Sequence, residues 1–142
     1  MKEADWNECL FSGAVVKTSP DAAKAKSLVD TANGRIEYAR AKEVNGSDVN
    51  YVFEDYYSSA LELFHAFLVL QGFNVNNHIC LGFYARDVLK KEGLFRLFDD
   101  CRIKRNSLVY YGRKMDSDTA KDAIDKCSQL IKELTNLLSK AK

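Results

Sequence analysis

The stretch DSDTAKDAIDKCSQLIKELTNLL, residues 116–138, decides the fold class. Its apolar residues are Ala120, Ala123, Ile124, Cys127, Leu130, Ile131, Leu134, Leu137 and Leu138. They recur at spacings of three and four, the period of one helix face. Asp116-Ser117-Asp118 supplies the start, with side-chain oxygens for free N–H groups and acids at the positive end of the dipole. A helix with one such stripe needs other helices to cover it.

Four more helical segments lie upstream. Leu94 to Tyr111 buries Leu94, Leu97, Phe98, Cys101 and Leu108, and Gly112 closes it. Before it, Ile79, Leu81, Phe83, Tyr84 and Val88 form a third helix, ending around 90–93 and preceded by a polar turn at Asn74–Asn77. Ser47-Asp48 caps a second helix that runs through Val49, Phe53, Ala60, Phe64 and Leu68 to Gly72. It is apolar on most sides in its second half, which marks the centre of a bundle. Ser19-Pro20-Asp21 starts the first, with Ser as cap and Pro in the first turn. Its stripe is Ala25, Leu28, Val29, Ala32, Ile36 and Ala39, and it ends near Asn45-Gly46. Residues 1–18 show no clear period and read as a lead-in whose Trp6, Leu10, Phe11, Val15 and Val16 pack back onto the body. No β pattern competes. The expected architecture is an all-α, up-and-down bundle of four to five helices in one domain, residues 19–142.

Length and composition agree. The chain has 142 residues, 46% hydrophobic and 29% charged, with one Pro and seven Gly. That excludes disorder as the main state. Lys+Arg total 21 against 20 Asp+Glu, so a broad basic coat for nucleic acid is excluded and any such site must be a local patch. The N-terminus is charged and reads as no signal peptide. The most apolar run, Ala60–Phe73, contains Glu62, His65 and Gln71 and falls short of the ~20 residues of a membrane span. Cys9, Cys80, Cys101 and Cys127 form no C-x-x-C pair and read as free core thiols, which fits a reducing cytoplasm. No phosphate loop or H-E-x-x-H occurs, and Glu54, Asp55 and Glu62 lack a Glu-x-x-His pair, so neither metal nor cofactor is expected.

The segment with the most chemistry is Arg102 to Lys114. Five basic residues fall within it, just after Asp99 and Asp100. Arg102, Asn106 and Tyr110 lie at i, i+4 and i+8, on one helix face. Arg and Asn donate hydrogen bonds to phosphates and base edges, and Tyr stacks on a base. Arg105 falls on the buried stripe, between Cys101 and Leu108. A buried Arg must be paired or must face a cleft. Tyr51, Tyr56, Tyr57 and Tyr84 read as core-edge or interface residues. His65 reads as a satisfied core histidine, and His78 as a residue that caps or packs at the start of the third helix, with a role in the cleft as the lesser reading.

Arg105-Asn106-Ser107-Leu108-Val109-Tyr110-Tyr111-Gly112 resembles the signature of the HEPN family of small α-helical proteins: Arg, a polar residue, a short apolar stretch, then His. The apolar helix ending at Gln71-Gly72-Phe73, the turn into His78 and the long final helix resemble the family's order of elements over roughly residues 20–140. The resemblance implies a homodimeric helical bundle that binds nucleotide or RNA. Its active members are metal-independent ribonucleases whose Arg and His meet in a cleft at the dimer interface. Many are toxins partnered by a minimal nucleotidyltransferase. Carried over, Arg105 takes the Arg position and Asn106 the polar one, while Tyr110 stands in place of the His. A phenol titrating near ~10 is a poor general base at neutral pH, so binding through Arg102, Arg105, Asn106, Tyr110 and His78 is expected ahead of cleavage. A rival expectation is a non-catalytic dimerisation module in which Arg105 forms a structural ion pair with Asp99, Asp100 or Glu92. A third is a ribonuclease that uses Tyr110 or His78 in place of the motif His.

Overall fold

The computed structural model describes residues 3–42 and 48–141. Among these the order is α1 (Trp6–Ser12), β1 (Val15–Lys17), α2 (Ala22–Arg40), α3 (Val49–Leu70), β2 (Phe73–Val75), α4 (Ile79–Phe83), a π-helical turn (Tyr84–Val88), α5 (Glu92–Tyr111) and α6 (Ser117–Lys140). The chain is 76% helical, and the expected all-α bundle is the observed fold. No described helix is long and apolar enough to cross a membrane.

The central helix is α3, which packs against α2, α5 and α6. Its apolar residues surround it because it has neighbours on several sides; Phe53, Ala60, Phe64 and Leu68 are all fully buried. From α5, Phe98 enters this core, edge-on to Phe64 at 5.2 Å and stacked on Tyr57 at 6.2 Å between ring centroids. From α6 come Ala120, Ala123, Cys127, Leu130 and Leu134, the stripe read from the sequence. The α2 stripe narrows to Ala25, Ala32, Ile36 and Ala39. Small residues allow close approach to α3, and Arg35 locks the pair by an ion pair to Glu62 at 3.1 Å.

The helix ends follow local chemistry. Asp116 accepts from the Thr119 N–H at 2.8 Å and caps α6. At the start of α2 the cap is Asp21, not Ser19, and Pro20 precedes the helix. Asp21 has the extended backbone a cap requires, and its carboxylate accepts from the Lys24 N–H at 2.9 Å. Asp48 stands at the N-cap position of α3; the expected end at Asn45-Gly46 and the Ser47 cap lie outside the described residues. Gly112 ends α5 at φ +63, as a left-handed terminator should.

The first eighteen residues depart most from expectation. Asp5 caps a helical turn, and Val15–Lys17 pairs antiparallel with Phe73–Val75 in place of the expected polar turn. Three-residue strands are too short to show alternation, so neither was legible. Trp6 and Val15 are buried and Leu10 partly so, whereas Phe11 is 96% exposed and Val16 48%. Gly72 adopts φ +87 and accepts the Thr18 N–H at 2.8 Å; a Cβ there would sit 2.8 Å from the Thr18 carbonyl oxygen. Only glycine permits both that backbone and that approach.

Two further expectations are corrected. The third helix is interrupted: α4 gives way to a π turn, and Lys90 takes φ +58. The widened turn sets Arg86 over the rings of Phe83 and Phe95. It also lets Asp87 accept the Trp6 N–H at 2.9 Å while Arg86 reaches the Ala4 carbonyl at 3.0 Å. Cys9 and Cys80 are not free thiols. They form a disulfide from α1 to α4, both fully buried, and only Cys101 and Cys127 remain reduced.

Candidate anion site on the fifth helix

Charges along α5 come in pairs. Arg96 meets Glu92 at 3.5 Å, and Arg102 meets Asp99 at 2.8 Å. Lys104 pairs with Asp100, which also takes Lys126 from α6 at 3.1 Å. Among the described residues Arg105 makes no salt bridge. Asp99, Asp100 and Glu92, the partners expected for it, are each engaged elsewhere. The other half-buried arginines, Arg35, Arg86 and Arg102, each have a carboxylate.

Arg105 rests on aromatic rings instead. Its guanidinium carbon lies 5.8 Å from the Tyr57 ring centroid and 5.6 Å from that of Tyr110. One Nη1 donates to Asn106 Oδ1 and to the Tyr110 hydroxyl, both at 3.4 Å. Those contacts are at the long edge of hydrogen bonding, and both acceptors are neutral. A guanidinium carries five N–H donors, so most of its capacity and all of its charge stay uncompensated. Ring faces offset part of the desolvation, about 0.5–2 kcal/mol each. An anion would offset the rest.

Tyr57 forms the floor. It is 1% exposed, and its hydroxyl has no hydrogen-bond partner. Burial pushes this phenol's pKa well up, while the charges of Arg105 and Arg102 pull it part of the way back. The sequence reading placed Tyr57 among core-edge tyrosines and missed its role under Arg105. Only the crossing of α3 and α5 brings the two together, and spacing along one helix cannot report that.

The two histidines meet edge to face, ring centroids 6.0 Å apart. His65 is not the satisfied core histidine of the sequence reading: neither histidine makes a hydrogen bond among the described residues. His78 packs at the N-cap position of α4 without capping it through its side chain. Burial lowers its pKa, and the nearby charges of Arg105 and Arg102 lower it further, so the ring is neutral at pH 7 beside the two arginines. Burial lowers His65 to about 4, helped by His78 and Lys24.

This pair sets an acid limit. A histidine whose folded pKa lies below its unfolded value of about 6.5 binds its proton more readily in the unfolded chain. Its destabilising effect is absent above that value and grows as pH falls toward the folded pKa. For His65 the loss between pH 6.5 and about 4 is expected to reach at most about 3 kcal/mol. Urea midpoints at pH 7 and pH 5 measure it. His65→Leu should flatten the dependence; an equally steep slope in that variant would rule the histidine out as its cause.

The remaining site residues fall as follows. Asn106 is half-buried and turned to Arg105. Arg102 is half-buried and held by Asp99, which leaves its charge at the site but occupies part of its donor fork. Tyr110 is 67% exposed. Two more exposed rings carry cations at the same end of the molecule: Arg113 lies 5.7 Å from Tyr111, and Lys114 lies 5.5 Å from Tyr51. The double hydrogen bond between Asn50 and the Met115 backbone, 2.9 Å each way, fixes the loop that presents them. Tyr56 is half-buried and Tyr84 is buried against Trp6. Clefts of about 610 and 530 Å³ lie elsewhere, around Pro20, Leu70 and Leu137 and around Val29, Leu63 and Leu138.

Models of known protein families, curated protein sequences and solved structures were each compared with the chain, and none matches.

Proposed function

We propose that the chain is a HEPN-like helical protein that binds a nucleotide or RNA through Arg105. The carrying observation is the half-buried Arg105 guanidinium, set over Tyr57 and Tyr110 with no carboxylate partner among the described residues. Arg102, His78 and Asn106 supply further charge and hydrogen-bonding groups for a phosphate, and Tyr110 offers an exposed ring for a base. The pairing of the other α5 charges supports the reading, because a helix that neutralises its neighbours could have neutralised this one too.

Dimerisation belongs to the same proposal. Ile103, Asn106 and Tyr110 follow one another at i, i+3 and i+7 on α5, with Ile103 54% and Tyr110 67% exposed. Ile103 and Tyr110, two turns apart on one face, offer exposed apolar surface to a second helix. A minimal nucleotidyltransferase partner and a cytoplasmic setting complete the proposal. The Cys9–Cys80 bridge withdraws the free-thiol argument for that setting, and its sulfurs are buried from reductant.

The test is a titration with short single-stranded RNA and with nucleotides over a range of salt. Arg105→Ala is expected to lose at least tenfold in affinity, about 1.4 kcal/mol, with a shallower salt slope. Equal, weak and salt-sensitive binding by both proteins would overturn the site. Incubating pure protein with RNA tests cleavage through the neutral His78. A product lost in His78→Ala would add catalysis to the reading, and no product would confine it to binding.

A further inference from the structure

Among the described residues α2 and α6 each pack along α3 but barely meet each other. The seam between them holds the clefts of about 610 and 530 Å³, and Ala22 and Leu70 line both, so the two adjoin. Each has the size that takes a small organic ligand. The lining runs from Ala22 to Asn33 on α2, about 17 Å at the rise of a helix. Its floor is an apolar cluster apart from the main core, Ala25, Ala66 and Val69, with Val29, Leu70 and Leu138 packed around it. Alanine on both α2 and α3 leaves depth that larger side chains would fill. The charge is one-sided: Lys140 lines the first cleft and Lys26 the second, and no acidic residue lines either. Both lysines are exposed, and neither has a salt bridge among the described residues. Such a side chain lays its stem on apolar surface and keeps its ammonium at the rim.

We propose that this seam binds a straight-chain carboxylic acid, its carboxylate held by Lys140 and its chain laid over Val29, Leu63, Leu70 and Leu138. The apolar surface is recessed. Leu63 is buried and Val29, Leu70 and Leu138 are half-buried, while Asn33, Thr135 and Ser139 form an exposed polar rim. None of the exposed large apolar side chains among the described residues belongs to the seam. A partner helix, about 10–12 Å across, would rest on that rim, whereas a single hydrocarbon chain enters below it. Lys140 takes the head because Gln71 lines the same cleft and adds an amide N–H donor. Burial of the chain supplies affinity in proportion to its apolar area. The contact of ammonium with carboxylate selects an acid over an alcohol. The inference is independent of what Arg105 binds, because no residue of that site lines the seam.

The test titrates the whole protein, stripped of lipid, with laurate below its micelle concentration, and with dodecanol and butyrate as controls, in a calorimeter. Laurate should bind saturably, one per chain, and butyrate should not. Ala22→Trp fills the junction of the two clefts from an exposed position, so it should abolish laurate binding and keep the urea midpoint. Lys140→Gln should weaken laurate at least tenfold and leave dodecanol unchanged. The RNA affinity of both variants should equal that of the wild type. No saturable uptake of laurate, full laurate affinity in Ala22→Trp, or equal weakening of acid and alcohol in Lys140→Gln would overturn the proposal. So would a wild-type dimer in sedimentation that Ala22→Trp splits while laurate does not bind, a result that gives the seam to a second copy.

Discussion

Replacing Cys9 and Cys80 together by serine is expected to lower stability by about 4 kcal/mol. The bridge joins residues 71 apart in sequence, so it removes a large share of the unfolded chain's freedom. Both positions are fully buried, and serine would leave two hydroxyls in an apolar site beside Trp6, adding to the loss. Domains of this size commonly hold about 5–15 kcal/mol in total, so the variant should sit close to the limit of folding. Urea denaturation checks this. The midpoint should fall sharply and the transition should steepen, because an unbridged unfolded chain exposes more surface. An unchanged midpoint would mean that the α1 segment is held by Trp6, the Asp87 contact and the small sheet alone.

Phe98→Ala is expected to cost about 3–5 kcal/mol. The ring is fully buried between Phe64 and Tyr57, and a Cβ on Gly82 would come within 3.2 Å of it, so the site is filled on every side. The backbone of α3 and α4 cannot close on the space left behind. Phe95→Ala is the control: that ring is only partly buried and stacks on Phe83 near the surface, so its loss should be clearly smaller. Equal losses would contradict the placement of Phe98 at the centre of the core. Removing Phe98 also unsupports Tyr57, so RNA affinity should fall with stability, whereas Phe95→Ala should leave it unchanged.

The parts of this protein that repeat were legible, and the parts that meet once were not. Ala120 to Leu138 announced α6 because each turn restates the same face. Gly112 and Asp116 marked the ends on either side because their chemistry is local. Arg105 stood out because a charge on an apolar stripe breaks a pattern, and it stands half-buried over Tyr57 with no salt bridge among the described residues. The Cys9–Cys80 bridge left no trace in spacing, since nothing local distinguishes a cysteine destined for a partner 71 residues away. The β1–β2 pair is too short to alternate, and the π turn goes with contacts of Arg86 and Asp87 to residues more than 80 positions away. Tyr57 lies on the α3 stripe like any core residue, and only the helix crossing puts it beneath Arg105.

The central claim is that Arg105 is held for a ligand rather than for the fold. Arg105→Ala and Arg113→Ala remove the same charge from nearby surfaces, and Arg113 is an exposed residue set against the Tyr111 ring. Titrating both variants with one single-stranded RNA oligomer at one salt concentration separates a site from a charge. The expected result is at least a tenfold larger loss for Arg105→Ala, in a protein that keeps its fold. Equal losses in the two variants would contradict the claim.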